Sequence, residues 1–186
     1  MISTSDFKNG ISIILDNEIY TLVEFQHVKP GKGGAFVRTK LKQVRSGKVL
    51  EKTFRAGEKM EQAILDKRMV QFQYGAGDEY VFMDNESYDQ MSIPAAALGD
   101  DARWLVDNLE VLTITHNGAL LGVELPAAII AEVVEAEPGV KGDTVTGASK
   151  QAKLSTGAVV QVPLFVNEGD KIKVDTRNGN YIERAN

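Results

Sequence analysis

The sequence predicts an all-β protein made of small barrels. Three observations carry that reading. Short runs rich in β-branched and aromatic residues recur along the whole chain. Turn signals, Asn-Gly pairs among them, separate the runs. No long amphipathic helical pattern interrupts them. The chain has 186 residues, 43% of them hydrophobic and 25% charged, so it has the composition of a folded protein rather than a disordered one.

Taken in order, the first runs are 11–15, 20–25 and 35–39. In Phe36-Val37-Arg38-Thr39-Lys40-Leu41-Lys42 the three cations fall at every second position. An extended strand therefore puts Arg38, Lys40 and Lys42 on one face. Further strands are expected at 49–54, 69–74, 80–83, 109–115, 120–125, 129–135, 158–162, 172–175 and 181–184. Asn117-Gly118 and Asn178-Gly179 each lie between two such runs, where a type I′ hairpin turn needs positive φ. The best helical segment, 94–109, is rich in alanine but broken by Gly99, which limits it to one or two short turns.

Charge suggests how the strands are grouped. Residues 1–64 carry a net charge of +4, residues 65–130 of −8 and residues 131–186 of −1. The sign changes near residue 65, and a second boundary falls near Pro126, where one alternating run ends and an apolar one begins. Three barrels of about 60 residues follow, at 1–64, 65–127 and 128–186, each near the lower size limit for an independent core. No strict repeat is visible, although the second and third segments could share a fold.

The overall charge of −5 argues by itself against nucleic-acid binding, but its distribution does not. Between Lys29 and Lys48 there are seven basic residues and no acidic one. Counterion release from RNA rewards a local cationic face whatever the total charge; the plainer reading is a solvated strand face. The chain has no cysteine, so disulfides and thiolate metal sites are excluded, which fits a reducing, cytoplasmic setting. The N-terminus does not read as a secretory signal, and no apolar run is long enough to cross a bilayer. His27 and His116 have no clustered partners, so no metal site, cofactor or general base is expected from them. Asp78-Glu79 and Asp100-Asp101 read as solvated loop charges, and no catalytic residue is assigned.

The most unusual segment is Lys29-Pro30-Gly31-Lys32-Gly33-Gly34-Ala35-Phe36, placed between two strand patterns as a hairpin tip. Pro30 restricts itself and Lys29. Gly31, Gly33 and Gly34 permit positive φ and put no side chain beside Lys32. A phosphate-binding P-loop requires different glycine spacing, a Ser or Thr after the lysine, and a following helix. Two readings survive the spacing: a flexible tip without a role, and a lysine presented to a partner or a modifying enzyme.

The segment from His27 to Phe36 resembles the first-domain loop of the elongation factor P family. A second match lies far along the chain, in Lys150-Gln151-Ala152-Lys153-Leu154-Ser155-Thr156-Gly157-Ala158-Val159-Val160-Gln161-Val162-Pro163-Leu164-Phe165-Val166-Asn167-Glu168-Gly169, which meets every fixed position of that family's third-domain signature. The opening Ile2-Ser3-Thr4-Ser5-Asp6-Phe7 and the stretch from Gly169 to Arg184 are similar as well, so the resemblance spans the whole chain. Gln151, Asn178 and Asn180 depart from the residues frequent in the family.

The resemblance implies an L-shaped protein with an SH3-like, KOW-type barrel followed by two OB-folds. It implies a cytoplasmic, monomeric, non-enzymatic translation factor without a cofactor. Its partners would be the 70S ribosome, between the peptidyl and exit sites, and peptidyl-tRNA, at both the acceptor end and the anticodon stem. Lys32 matches the family's modified residue and would be the substrate of a lysine-modifying enzyme. Its ammonium would order the tRNA terminus for a poor nucleophile such as proline, relieving ribosomes stalled at consecutive prolines. The cationic run makes Lys29, Arg38, Lys40 and Lys42 candidate RNA contacts, and the resemblance adds Gly142, Asp143, Arg177, Tyr181 and Arg184, against the plainer readings of a simple turn at 139–144, core packing for Tyr181 and solvent for Arg184. The competing readings are a general RNA-binding OB/SH3 module and the elongation-factor-P-like paralogue, which typically lacks lysine at the tip. A lipoyl or biotinyl carrier domain fits poorly, because its lysine is not framed by glycines.

Overall fold

A computed structural model of the chain describes residues 1–138 and 148–185. Three antiparallel sheets dominate it. The first contains β1 (Ile2–Ser3), β2 (Ser12–Leu15), β3 (Glu18–Val28), β4 (Phe36–Gln43), β5 (Val49–Arg55) and β6 (Lys59–Ala63), in the order β1-β6-β2-β3-β4-β5. The second contains β7 (Asp66–Ala76), β8 (Glu79–Asp84), β9 (Gln90–Pro94), β10 (Glu110–His116) and β11 (Ala119–Glu124), in the order β11-β10-β7-β8-β9. The third contains β12 (Ala128–Ala136), β13 (Ser149–Leu154), β14 (Val159–Pro163), β15 (Lys171–Asp175) and β16 (Tyr181–Arg184), in the order β14-β13-β12-β15-β16. The only helices among the described residues are a short α1 (Ala95–Leu98) and two 3-10 turns, Thr4–Asp6 and Gly99–Trp104.

The second and third sheets share one topology. Numbered within its own sheet, each runs 3-2-1-4-5. In the third sheet the edge strands β14 and β16 also touch, curling the sheet towards closure. That order is the Greek-key arrangement of an OB-fold. The chain divides into two compact units, Met1–Lys67 with Thr113–Gly122, and Arg68–Leu112 with Val123–Asn186.

In the first sheet, period-two patterning decides what is buried. Along β4, Val37, Thr39 and Leu41 are buried, while Arg38, Lys40 and Lys42 alternate with them on the other side. Thr39 is the polar member of the inward row, and its hydroxyl donates to the Lys52 carbonyl at 2.7 Å, which offsets its burial. Phe7, Ile13, Leu22, Leu41, Phe54 and Met60 close the core. The 3-10 turn at Thr4–Asp6 delivers Phe7 to it. That turn is pinned where Thr4 N donates to the Glu58 carbonyl at 3.2 Å and Gly57 N donates to Thr4 Oγ1 at 2.8 Å. Phe7 then meets Phe25 and Phe54 edge-on, at centroid separations of 6.0 and 5.7 Å. Each such contact is worth about 1 kcal/mol beyond the area it buries.

The third core gathers Val133, Leu154, Val166, Ile172 and Val174. Trp104, at the end of the second 3-10 turn, is 1% exposed and belongs to the same cluster. Gly179 lies against it, and a Cβ there would sit 3.6 Å from the indole ring.

The turns differ from expectation in one case. Asn117 and Gly118 both have positive φ, 51° and 80°, and join β10 directly to β11. Around Asn178-Gly179 only Gly179 is positive, at 76°, in a longer turn. There Asp175 N donates to the Asn180 carbonyl and Gly179 N to the Asp175 carbonyl. Asn178 Oδ1 accepts from Asn180 N, so its side chain serves the turn where a type I′ turn would use its backbone.

Candidate functional site

The loop at 29–35 joins β3 to β4 beyond their last paired residues, Val28 and Phe36. Lys29, Pro30, Gly31, Lys32, Gly33 and Gly34 are all exposed. Of the three glycines only Gly33 has positive φ, at 100°. A Cβ added at any of them would meet nothing within 4 Å, so these glycines keep the surroundings of Lys32 bare. Among the described residues, no ion pair reaches Lys32. The arrangement offers one solvated ammonium on a four-carbon stem at the narrow end of a hairpin.

Behind the tip, Arg38, Lys40 and Lys42 share the outward face of β4, but they are not equally free. The register sets Lys40 opposite Glu24 on β3 and Glu51 on β5. Its Nζ pairs with Glu24 at 3.1 Å, between half-exposed side chains that hold each other weakly. The Arg38 guanidinium lies 5.5 Å from the centroid of the Phe36 ring at the root of the loop. Lys42 is exposed.

A second group of cations lies on the third sheet. Tyr181 is half-buried and packs against the core. The Arg184 guanidinium sits over Phe165 at 5.7 Å, with its Nε 3.9 Å from Asp170. Arg177 is held by Asp175, its Nε and Nη2 donating to the two carboxylate oxygens at 3.1 and 2.8 Å while its backbone N donates to Oδ1 at 2.8 Å. These bonds from Arg177 hold the Asp175 carboxyl at about 2, well below its usual range. Sequence reading missed this partner, although an Asp two residues before an Arg in a turn is a local signal for it. Gly142 and Asp143, with the rest of the loop at 139–144, lie outside the described residues. Among the described residues, no cluster of three His, Asp or Glu side chains could hold a metal ion. None of the helices there is long and apolar enough to cross a membrane.

Comparison with known proteins decides the family. The elongation factor P KOW-like domain matches residues 3–60, the elongation factor P OB domain residues 65–123, and the elongation factor P C-terminal domain residues 129–184. The chain belongs to the elongation factor P family. Elongation factor P of Moorella thermoacetica is 54% identical over 185 residues, covering both chains completely. That of Synechocystis is 54% identical over 186 residues, with the same coverage. That of Acidothermus cellulolyticus is 55% identical over 186 residues, also end to end. Among solved structures, a eukaryotic translation initiation factor 5A from Methanococcus jannaschii aligns with a TM-score of 0.50 at 24% identity, over 67% of this chain and 90% of that one. The last likeness concerns the fold alone.

Within the elongation factor P family assignment, the β3–β4 tip lies in the stretch matched by the KOW-like domain, and Arg177, Tyr181 and Arg184 lie in the C-terminal one. The residues singled out from sequence thus fall in two separate groups. The strand order of the second and third sheets is the OB order that the family carries. The chain is a translation elongation factor.

Proposed function

We propose that this translation elongation factor acts without catalytic chemistry of its own, by presenting Lys32 to peptidyl-tRNA held in the ribosome. One observation carries the reading: Lys32 is exposed at a tip where its glycine neighbours place no side chain, and among the described residues no carboxylate pairs with it. A long cationic stem of this kind can donate to the backbone of a tRNA terminus. Ordering that terminus removes part of the entropic barrier to peptide-bond formation, which matters most when the nucleophile is proline. The ammonium is solvated and, among the described residues, pairs with no base, so it suits hydrogen bonding and positioning.

In this reading the factor binds between the peptidyl and exit sites in the cytoplasm, as a monomer. Residues 1–64 address the acceptor end, 65–127 form the acidic middle segment, and 128–186 address the anticodon stem. Lys29, Arg38, Lys40 and Lys42 support the first contact. Arg184 and Tyr181 support the last, with Arg177 contributing its free donors, because the Asp175 chelate engages only one edge of the guanidinium. Gly142 and Asp143 are assigned to the same end. An enzyme that extends Lys32 would find it accessible without unfolding the hairpin.

In a strain lacking the native factor, the Lys32→Ala variant is expected to accumulate as folded protein yet fail to restore synthesis of a reporter containing consecutive prolines. Restoration equal to wild type would count against the reading.

A further inference from the structure

The tip loop gets little support from itself. It begins past the last paired rungs, Val28 with Phe36 and Phe36 with Arg55, so residues 29–34 lie in no strand of the sheet. Its direction must therefore be set at its root, and the root carries an aromatic chain. The His27 ring meets Phe25 edge-on at 5.6 Å and 90°. Phe25 meets Phe7 at 6.0 Å, and Phe7 meets Phe54 at 5.7 Å. The register explains the column. His27 pairs with Val37, which pairs with Phe54; Phe25 pairs with Thr39, which pairs with Lys52. Directly opposed residues project to the same side of a sheet. His27 is therefore exposed but lies on the core side, in the row of Val37 and Phe54, where it extends the packed surface outward to the foot of the loop. Phe7 is wedged beneath by the Thr4–Asp6 turn, whose hydrogen bonds to the β5–β6 connection anchor it.

We propose that His27, stacked on Phe25 and backed by Phe7, braces the β3–β4 arm and fixes where Lys32 points, which makes His27 a positioning residue. The proposal rests on the assignment of Lys32 as the acting group. Removing the ring leaves the barrel core intact, since His27 is not part of it. It takes away an aromatic side-chain contact at the foot of the loop, beside the backbone pairing of Phe36 with Val28 and Arg55. The tip then samples more directions, and the fraction of time Lys32 spends at its target falls.

Because the chain has no cysteine, the test needs only added ones. Spin labels on Lys32→Cys and Glu61→Cys, the latter exposed on β6 of the same sheet, report the spread of tip positions without any ribosome. His27→Ala is expected to broaden the label–label distance distribution about twofold, and His27→Phe to restore it. The thermal midpoint should move by no more than about 3 °C. Should His27→Ala unfold, His27→Thr, which keeps strand propensity, is read in its place. With Lys32 intact, His27→Ala should lower the maximal rate of peptide-bond formation on proline-stalled ribosomes about tenfold, at an unchanged half-saturating concentration. An unchanged distribution in His27→Ala, or a broadening that His27→Phe does not reverse, overturns the brace. A broadened distribution with an unchanged rate means that the brace exists but Lys32 is not the acting group, and a Lys32→Ala control run in parallel identifies that case.

Discussion

Gly33 turns the chain at a φ of 100°, while Gly31 and Gly34 do not adopt positive φ. The three glycines thus contribute differently: one gives the turn its shape, and the other two leave space. A sequence shows that all three permit positive φ but not which one uses it, because that depends on where the β3–β4 pairing stops. Asp175 makes the complementary point. Its carboxyl, held at about 2 by the Arg177 bonds against a usual value of 3.8, favours the folded state whenever it is ionised. A folded pKa below the unfolded one contributes stability above the unfolded pKa, and this is lost as pH falls through the folded value. The third sheet should therefore weaken between about pH 4 and pH 2. Urea unfolding followed by Trp104, the only tryptophan, would read this loss. Asp175→Asn should be less stable than wild type at pH 5 and lose less across that window. Equal losses in both proteins would remove the pair from the account.

At the scale of elements, strands with alternating β-branched or aromatic residues were legible, and β13 was not. Ser149-Lys150-Gln151-Ala152-Lys153-Leu154 has almost no intrinsic strand preference. It is a strand because Lys150, Ala152 and Leu154 form its inward row between β12 and β14. The short strands β1, β6 and β9 escaped for the same reason, since tertiary pairing supplies what their composition lacks. The helical segment was legible as broken turns, but the destination of Trp104 was not, because the other fully buried members of its cluster lie beyond residue 128 in sequence. The indole is fully buried among Ile129, Leu154, Ile172 and their neighbours, so Trp104→Ala should destabilise this unit by about 3–5 kcal/mol. Urea denaturation followed by circular dichroism would measure it. A loss below about 1 kcal/mol would show that the pocket collapses around the gap.

Across the whole molecule, charge spoke more clearly than composition. A protein with a net charge of −5 reads as a poor RNA binder, yet seven cations without an acidic residue fill the stretch from Lys29 to Lys48. What the sequence could not disclose is which of these cations are already engaged. Lys40 finds Glu24 through strand register, and Arg177 finds Asp175 through a turn, whereas Lys32 finds no carboxylate among the described residues. The likeness of the second and third sheets was expected from the family resemblance, which implies two OB-folds, and their common strand order bears it out although no repeat is visible in the residues. The proposed function depends on Lys32 reaching the end of a tRNA. A photocrosslinker on Lys32→Cys, introduced into this cysteine-free chain and bound to ribosomes stalled on consecutive prolines, tests that most directly. The predicted crosslink is to the 3′-terminal nucleotides of the peptidyl-tRNA. A crosslink confined to ribosomal RNA or protein away from that terminus, from a factor that is bound, would contradict it.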